Sequence, residues 1–343
     1  MFHVAIDLGA RESQICVRKE DGTIVEERRM GTGQLGKMLE KLGPSRVSVE
    51  TSAEAFSVAD EALELGHEVR VVPATLVRAL GVGDRGVKTD RRDAQRLSEV
   101  STRIDLPSVH IPSKVNRERK SLCGMREGLI KSRTQLINTV RGWLRGRRRR
   151  VRSGAAETFP MRVHQHYGQL GQELPSYVVR QLLVIDQLSE QIKEADKELE
   201  QEVQQDAICQ RLRSVPGVGP VTALRYVATV DTITRFDNAH ALQSYIGLTP
   251  GEHSSGAKRC RTGITHAGSA ALRWTLVQAA WSLRRCRPSD PMVLWNREVE
   301  RRRGKQVAIV ALARKLAGVL FALWRDGTRY NPLLAADARP GMQ

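Results

Sequence analysis

The first thirty residues constrain the fold more than any other stretch, because three short runs there alternate apolar with other side chains. These runs are residues 2–8, 14–18 and 23–28. The dipeptide Asp21-Gly22 separates the last two runs and is typical of a tight hairpin turn. Helical and extended patterns then alternate from residue 34 to residue 72. We therefore predict three antiparallel strands that continue into a mixed sheet with helices on its faces.

The remainder of the chain is predominantly helical in pattern. A helix is predicted over 90–100, and a long basic helix over 115–143. Residues 178–199 have apolar positions in steps of three and four, which fits either a coiled coil or one arm of an intramolecular helical hairpin. After Cys209, glycines punctuate the helical segments, which indicates a second globular domain.

The predicted organisation is therefore α/β followed by α. The predicted segments are an α/β domain at 1–108, a basic helical and coiled-coil linker or oligomerisation segment at 109–208, a mainly helical domain at 209–331 and a tail at 332–343.

The charge balance points to a polyanionic partner. Lys and Arg total 55 against 38 Asp and Glu, which gives a formal net charge of +17. Nucleic acid is the leading partner, ahead of an anionic membrane surface or an acidic protein. No apolar run reaches the ~18 residues of a membrane span and the N-terminus lacks a signal-peptide pattern, so we expect a cytoplasmic protein with no membrane partner. Five scattered cysteines with no CxxC pair argue against a disulfide framework or a zinc site.

Four acidic residues form a candidate metal site. Asp7 lies within an apolar strand, Glu50 ends another strand, and Asp90 and Asp93 share a face in the first turn of a predicted helix. Carboxylates that converge from different segments hold the divalent ions of phosphodiester chemistry. Each residue alone is a weak signal, because the aspartate pair also fits a solvated helix start. Together the four predict a site for divalent metal ions, with Mg²⁺ or Mn²⁺ as the candidate ion.

The basic residues between 141 and 152 form a candidate nucleic-acid surface. So many like charges repel one another unless a polyanion is near. With only 4% aromatic residues, base stacking is not expected to be the main binding mode, and Trp274 and Trp281 are predicted to be core residues. The predicted nucleic-acid-binding residues in this stretch are Arg141, Arg145, Arg147, Arg148, Arg149 and Arg150.

Two further segments have nucleic-acid-binding potential. Gly217 and Gly219, between two helical patterns, would let backbone amides approach a phosphate, and a plain helix–helix turn is the alternative interpretation. The polar loop 252–263 combines hydroxyls and glycines with cations that would neutralise a phosphate. A solvated linker is the alternative interpretation of this loop. Its predicted nucleic-acid-binding cations are Lys258, Arg259 and Arg261.

These motifs together resemble one family. The matching segments are 5–9 (AIDLG), 47–52 (VSVETS), 88–95 (KTDRRDAQ), 214–219 (SVPGVG), 235–236 (RF), 247–250 (GLTP), 255–256 (SG), Gly268 and 272–273 (LR). In this combination the chain resembles the DEDD insertion-sequence transposases related to the Piv invertases. The resemblance implies an RNase H-like N-terminal domain of the RuvC type. It also implies a helical C-terminal transposase domain, in which residues 216–219 (PGVG) between two helical patterns resemble a helix-hairpin-helix motif.

The resemblance also implies a mechanism. Asp7, Glu50, Asp90 and Asp93 would hold Mg²⁺ as the catalytic carboxylates. A serine of the C-terminal domain would attack a DNA phosphate and form a covalent intermediate. Ser255 matches that serine because it directly precedes a glycine, although Ser254 is an adjacent hydroxyl. Members of this family use a structured guide RNA, the bridge RNA, that pairs with donor and target DNA, so both DNA and RNA are expected partners.

We therefore expect a DNA transposase or recombinase of an insertion sequence, working as a homo-oligomer, either dimer or tetramer. The active site would assemble between protomers, so that a mixture of Asp7→Ala and Ser255→Ala chains would regain some activity. A RuvC-like Holliday junction resolvase or a site-specific DNA invertase is the alternative enzyme. A non-catalytic nucleic-acid-binding scaffold is the alternative of another class.

Overall fold

The computed structural model of the protein describes residues 1–79, 90–252 and 261–332. The chain divides into two units, Met1–Pro112 and Ser113–Gln343. The elements of the first unit are β1 (Phe2–Asp7), β2 (Glu12–Lys19), β3 (Ile24–Gly31), α1 (Leu35–Leu39), β4 (Ser45–Glu50), α2 (Ala55–Glu64), β5 (Glu68–Val72), α3 (Ala74–Ala79) and α4 (Asp90–Arg103).

The first unit is built on one five-stranded sheet in the order β3-β2-β1-β4-β5. The three N-terminal strands pair antiparallel, whereas β4 pairs parallel with both β1 and β5. Gly22, with φ of +86°, occupies the left-handed region in the predicted hairpin turn between β2 and β3. The predicted mixed sheet is confirmed.

Both faces of the central strand β1 are covered. Val4 and Ile6 point to one face and belong to the apolar core that includes side chains of α1 and α2. Ala5 points to the other face and clusters with Leu97 of α4. This alternation is the period-two pattern of a strand that is buried on both sides. The sheet is therefore sandwiched between α1 and α2 on one side and α4 on the other.

The second unit is almost entirely helical, as predicted for the C-terminal part of the chain. Its described elements are α5 (Lys114–Gly146), α6 (Phe159–Gly168), α7 (Ser176–Gln205), α8 (Ala207–Leu212), α9 (Pro220–Val230), α10 (Ala239–Ile246), β6 (Pro250–Glu252), β7 (Arg261–Ile264), α11 (Ala270–Cys286), α12 (Pro291–Arg303) and α13 (Lys305–Asp326).

Helices α5 and α7 form an antiparallel hairpin within one chain. Arg126 pairs with Asp196, and Arg133, seven residues further along α5, donates to Ser189 at 3.2 Å, seven residues earlier on α7. The apolar stripe of α7, which includes Leu182, is buried. Of the two interpretations of residues 178–199, the structure therefore shows the intramolecular hairpin. Association of this segment with a second chain stays a prediction.

Helix α13 is the core helix of the second unit. Tyr226 of α9 is fully buried and donates its hydroxyl to the Ala317 carbonyl at 2.9 Å. Within the described ranges, α13 alone is long and apolar enough to cross a membrane by composition, but 56% of its most apolar stretch is buried inside the protein. Its apolar character is explained by its packing against neighbouring helices such as α9 and α11.

Candidate active site and nucleic-acid interface

Asp7 and Glu50 lie at the carboxyl ends of neighbouring parallel strands. The parallel register between β1 and β4 runs as far as Ile6 opposite Val49, one residue before each acid. Both carboxylates are half-buried. Because side chains of adjacent strands at the same register point to the same face, Asp7 and Glu50 share one face of the sheet.

Helix α4 crosses that same face in the opposite direction to β1. His3 Nδ1 and Ser101 Oγ lie 2.9 Å apart at one end, and Ala5 and Leu97 share an apolar cluster one step further on. Along β1 the next same-face residue is Asp7, about 7 Å beyond Ala5.

Along α4 the next same-face residue is Asp93, one turn or about 6 Å before Leu97. Since Ser101 lies beside His3 and Leu97 clusters with Ala5, the same register places Asp93 of α4 at the level of Asp7 of β1. Asp93 is buried, 7% exposed, whereas Asp90 is exposed in the same first turn.

The four acids do not all meet as a metal cluster in the part of the chain that the structure describes. Within 1–79, 90–252 and 261–332 there is no group of three or more His, Cys, Asp or Glu side chains that is arranged to hold a metal ion. Asp7, Glu50 and Asp93 lie on the same face of the sheet. Carboxylate oxygens are the ligands that Mg²⁺ prefers. Convergence of all four on the ion stays a prediction.

Polar contacts fix α4 on the sheet. Arg18 of β2 donates to Ser98 at 2.9 Å. Glu27 of β3 accepts hydrogen bonds from Arg91, at 2.7 Å, and from Gln95. Burial raises the pKa of Glu27, but these hydrogen bonds outweigh it, so the pKa lies below its ordinary value. Glu27 thus anchors the turn of α4 that carries both aspartates.

The loop that carries the predicted nucleophile is presented by a short hairpin. Ser255 lies outside the described residues, as do Ser254, Lys258 and Arg259. The flanking strands β6 and β7 pair antiparallel, with Glu252 opposite Arg261. The sequence predicted an irregular loop over 252–263 and did not anticipate these two strands.

The base of this hairpin is held against α10 by residues of the family-like motifs. Gly247, with φ of +78°, packs on the backbone of Ala267, and Gly268, with φ of +66°, packs on that of Tyr245. A side chain on either glycine would collide with backbone atoms that cannot rotate away. Arg273 of α11 donates to the carbonyl of Ile246 at 3.0 Å and also to that of Ala267. Arg273, which belongs to the family-like segment 272–273, is therefore a positioning residue, a role that the sequence did not assign to it.

The two glycines predicted to approach a phosphate differ in their surroundings. A Cβ on Gly217 would lie 2.6 Å from the backbone nitrogen of Leu283, so packing against α11 already explains why glycine stands there. Gly219 has open space at its Cβ position and is the N-cap of α9, without a side-chain cap. Phosphate binding at this turn stays a prediction.

The six predicted arginines lie at and just beyond the end of α5. In the described part of the chain none of them forms an ion pair with a carboxylate. Arg147 lies over the Trp143 ring at 4.3 Å and Arg149 over Tyr167 at 4.8 Å, contacts that hold the guanidinium groups in place. Arg145, Arg148 and Arg150 are exposed, which leaves an unneutralised basic surface.

One prediction about aromatic residues is wrong. Trp274 is 61% exposed on α11, although its spacing of seven from Trp281 predicted a core position. Trp281 is partly buried against the core of the second unit. The two positions are seven residues apart on one helix, but only one of them meets a packed neighbour, which the spacing alone does not reveal.

Two family models match the chain. A DEDD-type transposase model of the IS110 kind matches residues 4–147, which include all four acids. A second model, described as "Transposase IS116/IS110/IS902 family", matches residues 209–292, which include the β6–β7 hairpin and its loop.

Curated relatives match along almost the whole chain. A probable family 20 transposase of Pseudomonas aeruginosa is 28% identical, with 97% of this chain and 99% of that protein covered. The transposase for insertion sequence element IS1111A of Coxiella burnetii is 29% identical, over 93% and 88% of the two chains. The transposase for insertion sequence element IS1328 of Yersinia enterocolitica is 26% identical, over 96% and 98%. With both halves matched by family models, the chain belongs to the IS116/IS110/IS902 family of transposases, enzymes that cut and rejoin DNA.

Proposed function

We propose that this transposase cuts and rejoins the DNA of an insertion sequence by transferring a strand to Ser255, with a divalent metal ion held by Asp7, Glu50, Asp90 and Asp93. The observation that supports the metal site is the antiparallel packing of α4 on β1. Its register runs from His3 and Ser101 towards Asp7 on β1 and Asp93 on α4. The remaining acids lie at the end of the neighbouring strand and in the first turn of α4.

The donor set suits Mg²⁺. All four side chains offer carboxylate oxygens, and Asp7 and Glu50 come from rigid strand ends rather than from loops. A bound Mg²⁺ would neutralise charge on the phosphate oxygens and on the leaving oxygen. The protein itself supplies the face on which the acids gather and the helix that carries the aspartate pair.

The serine step is a transfer between phosphate esters. The Ser255 hydroxyl attacks the DNA phosphorus, a bond from Oγ to phosphorus forms, and the bond to the leaving strand breaks to give a free hydroxyl end. The reverse attack by another DNA end rejoins the strand without an external energy source. The support for Ser255 is its place before Gly256 in a loop carried by a hairpin with a rigid base.

The basic surface at the end of α5 is proposed to bind a structured guide RNA and the DNA backbone. The support is its exposed, unneutralised arginines. Because phosphate contacts carry little sequence information, base pairing by the RNA would select donor and target DNA. The protein would then act as a homo-oligomer, dimer or tetramer, on two DNA duplexes.

A recombination assay on a donor and a target plasmid tests the metal site. We expect Asp7→Asn and Glu50→Gln to abolish strand exchange, because each removes a carboxylate ligand while it keeps the side-chain size. The matched controls are Asp105→Asn and Glu40→Gln, which change exposed carboxylates of the same unit. Equal activity of the Asp7 and Asp105 variants would refute the metal site. RNA sequencing of co-purified nucleic acid tests the guide, and an absence of any specific RNA would refute it.

A further inference from the structure

A cavity of about 640 Å³ opens on the second unit, and its lining includes no residue of the β6–β7 hairpin. It lies between α10, α12, α13 and the segment that follows α13. Its apolar wall comes from small residues of α13 and from the half-buried Trp295 of α12. The size falls in the range of small-molecule sites, about 300–1,000 Å³, and far exceeds what a single phosphate ion would fill.

The cavity is strongly basic. Its lining includes Arg314, Lys315, Arg325 and Arg329 against one acid, Asp326. Asp326 already pairs with Arg325 at 2.7 Å. In the described part of the chain, neither Arg314 nor Lys315 forms an ion pair.

Two of these cations are only partly hydrated. Burial lowers the pKa of Arg314 and also that of Lys315. The carboxylate of Asp290 opposes the effect on Lys315 without cancelling it. Asp290 is itself occupied, because it accepts the Tyr330 hydroxyl at 2.9 Å and caps α12. Asp290 therefore offsets only part of the cost of burying Lys315, and burial is the one cause of the lowered pKa of Arg314, so the two partly desolvated positive charges cost stability unless an anion joins them.

The cations are also held in position. Arg314 donates from Nε to Gln243 Oε1 at 2.9 Å, and the Gln243 amide donates back to the Arg314 carbonyl at 3.0 Å. Gly318, in the middle of α13, makes room for Gln243, since a Cβ there would lie 2.8 Å from the Gln243 amide nitrogen. The Lys315 ammonium lies over the Trp295 ring, 4.8 Å from its centre. Such preorganisation is a property of binding sites rather than of solvated surface.

We propose that this cavity binds one nucleotide of a nucleic-acid strand. Arg314 and Lys315 contact its phosphate, and the apolar wall of α13 receives its sugar and base. The proposal goes beyond the proposed function and takes from it only that a nucleic-acid strand is the source of the phosphate. It requires neither the four acids nor Ser255.

The test compares two lysines of α13 in the full-length chain. Lys315→Met removes the ammonium in the cavity. Lys305→Met is the matched control, because Lys305 lies over Trp281 at 5.2 Å in the same way but is exposed and outside the cavity. Both variants lower the net charge equally. The readout is the affinity for a short fluorescein-labelled single-stranded oligodeoxynucleotide.

We expect Lys315→Met to weaken strand binding about tenfold, because it removes one charge-assisted hydrogen bond to a phosphate. Lys305→Met should leave the affinity nearly unchanged. Equal affinities of the two variants would overturn the inference. In wild type, an abasic strand should compete less well than a strand with bases. Equal competition by the abasic strand or by inorganic phosphate would show a simple anion site and would also overturn it.

A thermal unfolding scan without nucleic acid guards against a folding defect. Because Lys315 has no ion-pair partner in the described part of the chain, Lys315→Met should melt at the same temperature as wild type or higher. A lower melting temperature would show that the lysine stabilises the empty protein, and would overturn the inference. The binding assay needs no strand cleavage, so a failed recombination assay and a failed cavity assay are separate results.

Discussion

Replacing Gly268 with alanine should loosen the base of the hairpin that presents Ser255. Gly268 has φ of +66°, a left-handed conformation that a residue with a Cβ adopts at a cost. The new Cβ would collide with the carbonyl oxygen of Tyr245 and come within 3.2 Å of its carbonyl carbon. Both are backbone atoms at the end of α10, so no side-chain rotation relieves the overlap.

The expected cost has two parts. The left-handed conformation contributes about 1–2 kcal/mol for a non-glycine residue. The overlap adds about 1–3 kcal/mol, as for other overpacked sites. A total of about 2–5 kcal/mol is a large part of the ~5–15 kcal/mol that stabilises a typical domain.

Tryptophan fluorescence during urea unfolding of the full chain measures this cost, because it reports on the second unit of the chain, which contains Gly268. All five tryptophans, at positions 143, 274, 281, 295 and 324, lie in the second unit. Gly263→Ala is the matched control, because Gly263 lies in the same hairpin with open space at its Cβ position and no positive φ. We expect the control to stay within about 1 kcal/mol of wild type.

Strand exchange by the Gly268→Ala protein should fall further than that of the control, since the loop with Ser255 is then without its fixed base. The reasoning would be refuted if Gly268→Ala and Gly263→Ala unfolded at the same urea concentration. It would also be refuted if both kept full recombination activity.

Three further predictions concern other parts of the molecule. The lowered pKa of Glu27 means that its stabilising effect is present above about pH 4.3, its unfolded value, and disappears as the pH falls through the lower folded value. Glu27→Gln should therefore show a shallower decline of stability between about pH 4.5 and 3 than wild type in denaturation experiments, and equal slopes would contradict this. Arg225→Met should cost about 2–4 kcal/mol in urea unfolding, because the buried guanidinium bonds Glu127 at 2.7 Å and the Cys123 carbonyl at 3.0 Å. This prediction would be wrong if Arg225→Met lowered the free energy of unfolding no more than Arg180→Met, which changes an exposed arginine. Glutamine at the exposed arginines at the end of α5 should make RNA binding less dependent on salt. The slope of log K against log salt concentration should become shallower by about 0.7–0.9 for each phosphate that is no longer neutralised. An unchanged slope would show that this surface is not part of the interface. The substituted residues are Arg145, Arg147, Arg148 and Arg150.

Most of the sheet could be predicted from the sequence. Alternation in residues 2–28 and the Asp21-Gly22 turn give the antiparallel start, because strand pairing there is local. The apolar run that ends at Glu50 and the helical pattern from Asp90 place the acids on elements that pack together. The sequence did not decide between a coiled coil and an intramolecular helical hairpin, since the same spacing of apolar residues serves a partner helix in the same chain or in another.

The base of the β6–β7 hairpin could not be predicted. Its strands are three and four residues long and polar, so they carry no alternating pattern. Gly217, Gly247 and Gly268 were recognised as motif residues. In the structure each must be glycine, because a backbone segment distant in sequence leaves no room for a Cβ. Only the three-dimensional structure identifies such tertiary packing. The cavity of Arg314 and Lys315 was hidden for the same reason, because α13 reads simply as an apolar helix.

The most direct test of serine transfer assisted by carboxylate-bound metal is the covalent complex of protein and labelled DNA on a denaturing gel. The assay contains Mg²⁺, the co-purified RNA and a donor strand that is blocked from rejoining. We predict an adduct with wild type and with Ser254→Ala, and none with Ser255→Ala or Asp7→Asn. An adduct of undiminished yield with Ser255→Ala, or strand cleavage without any adduct, would contradict the account.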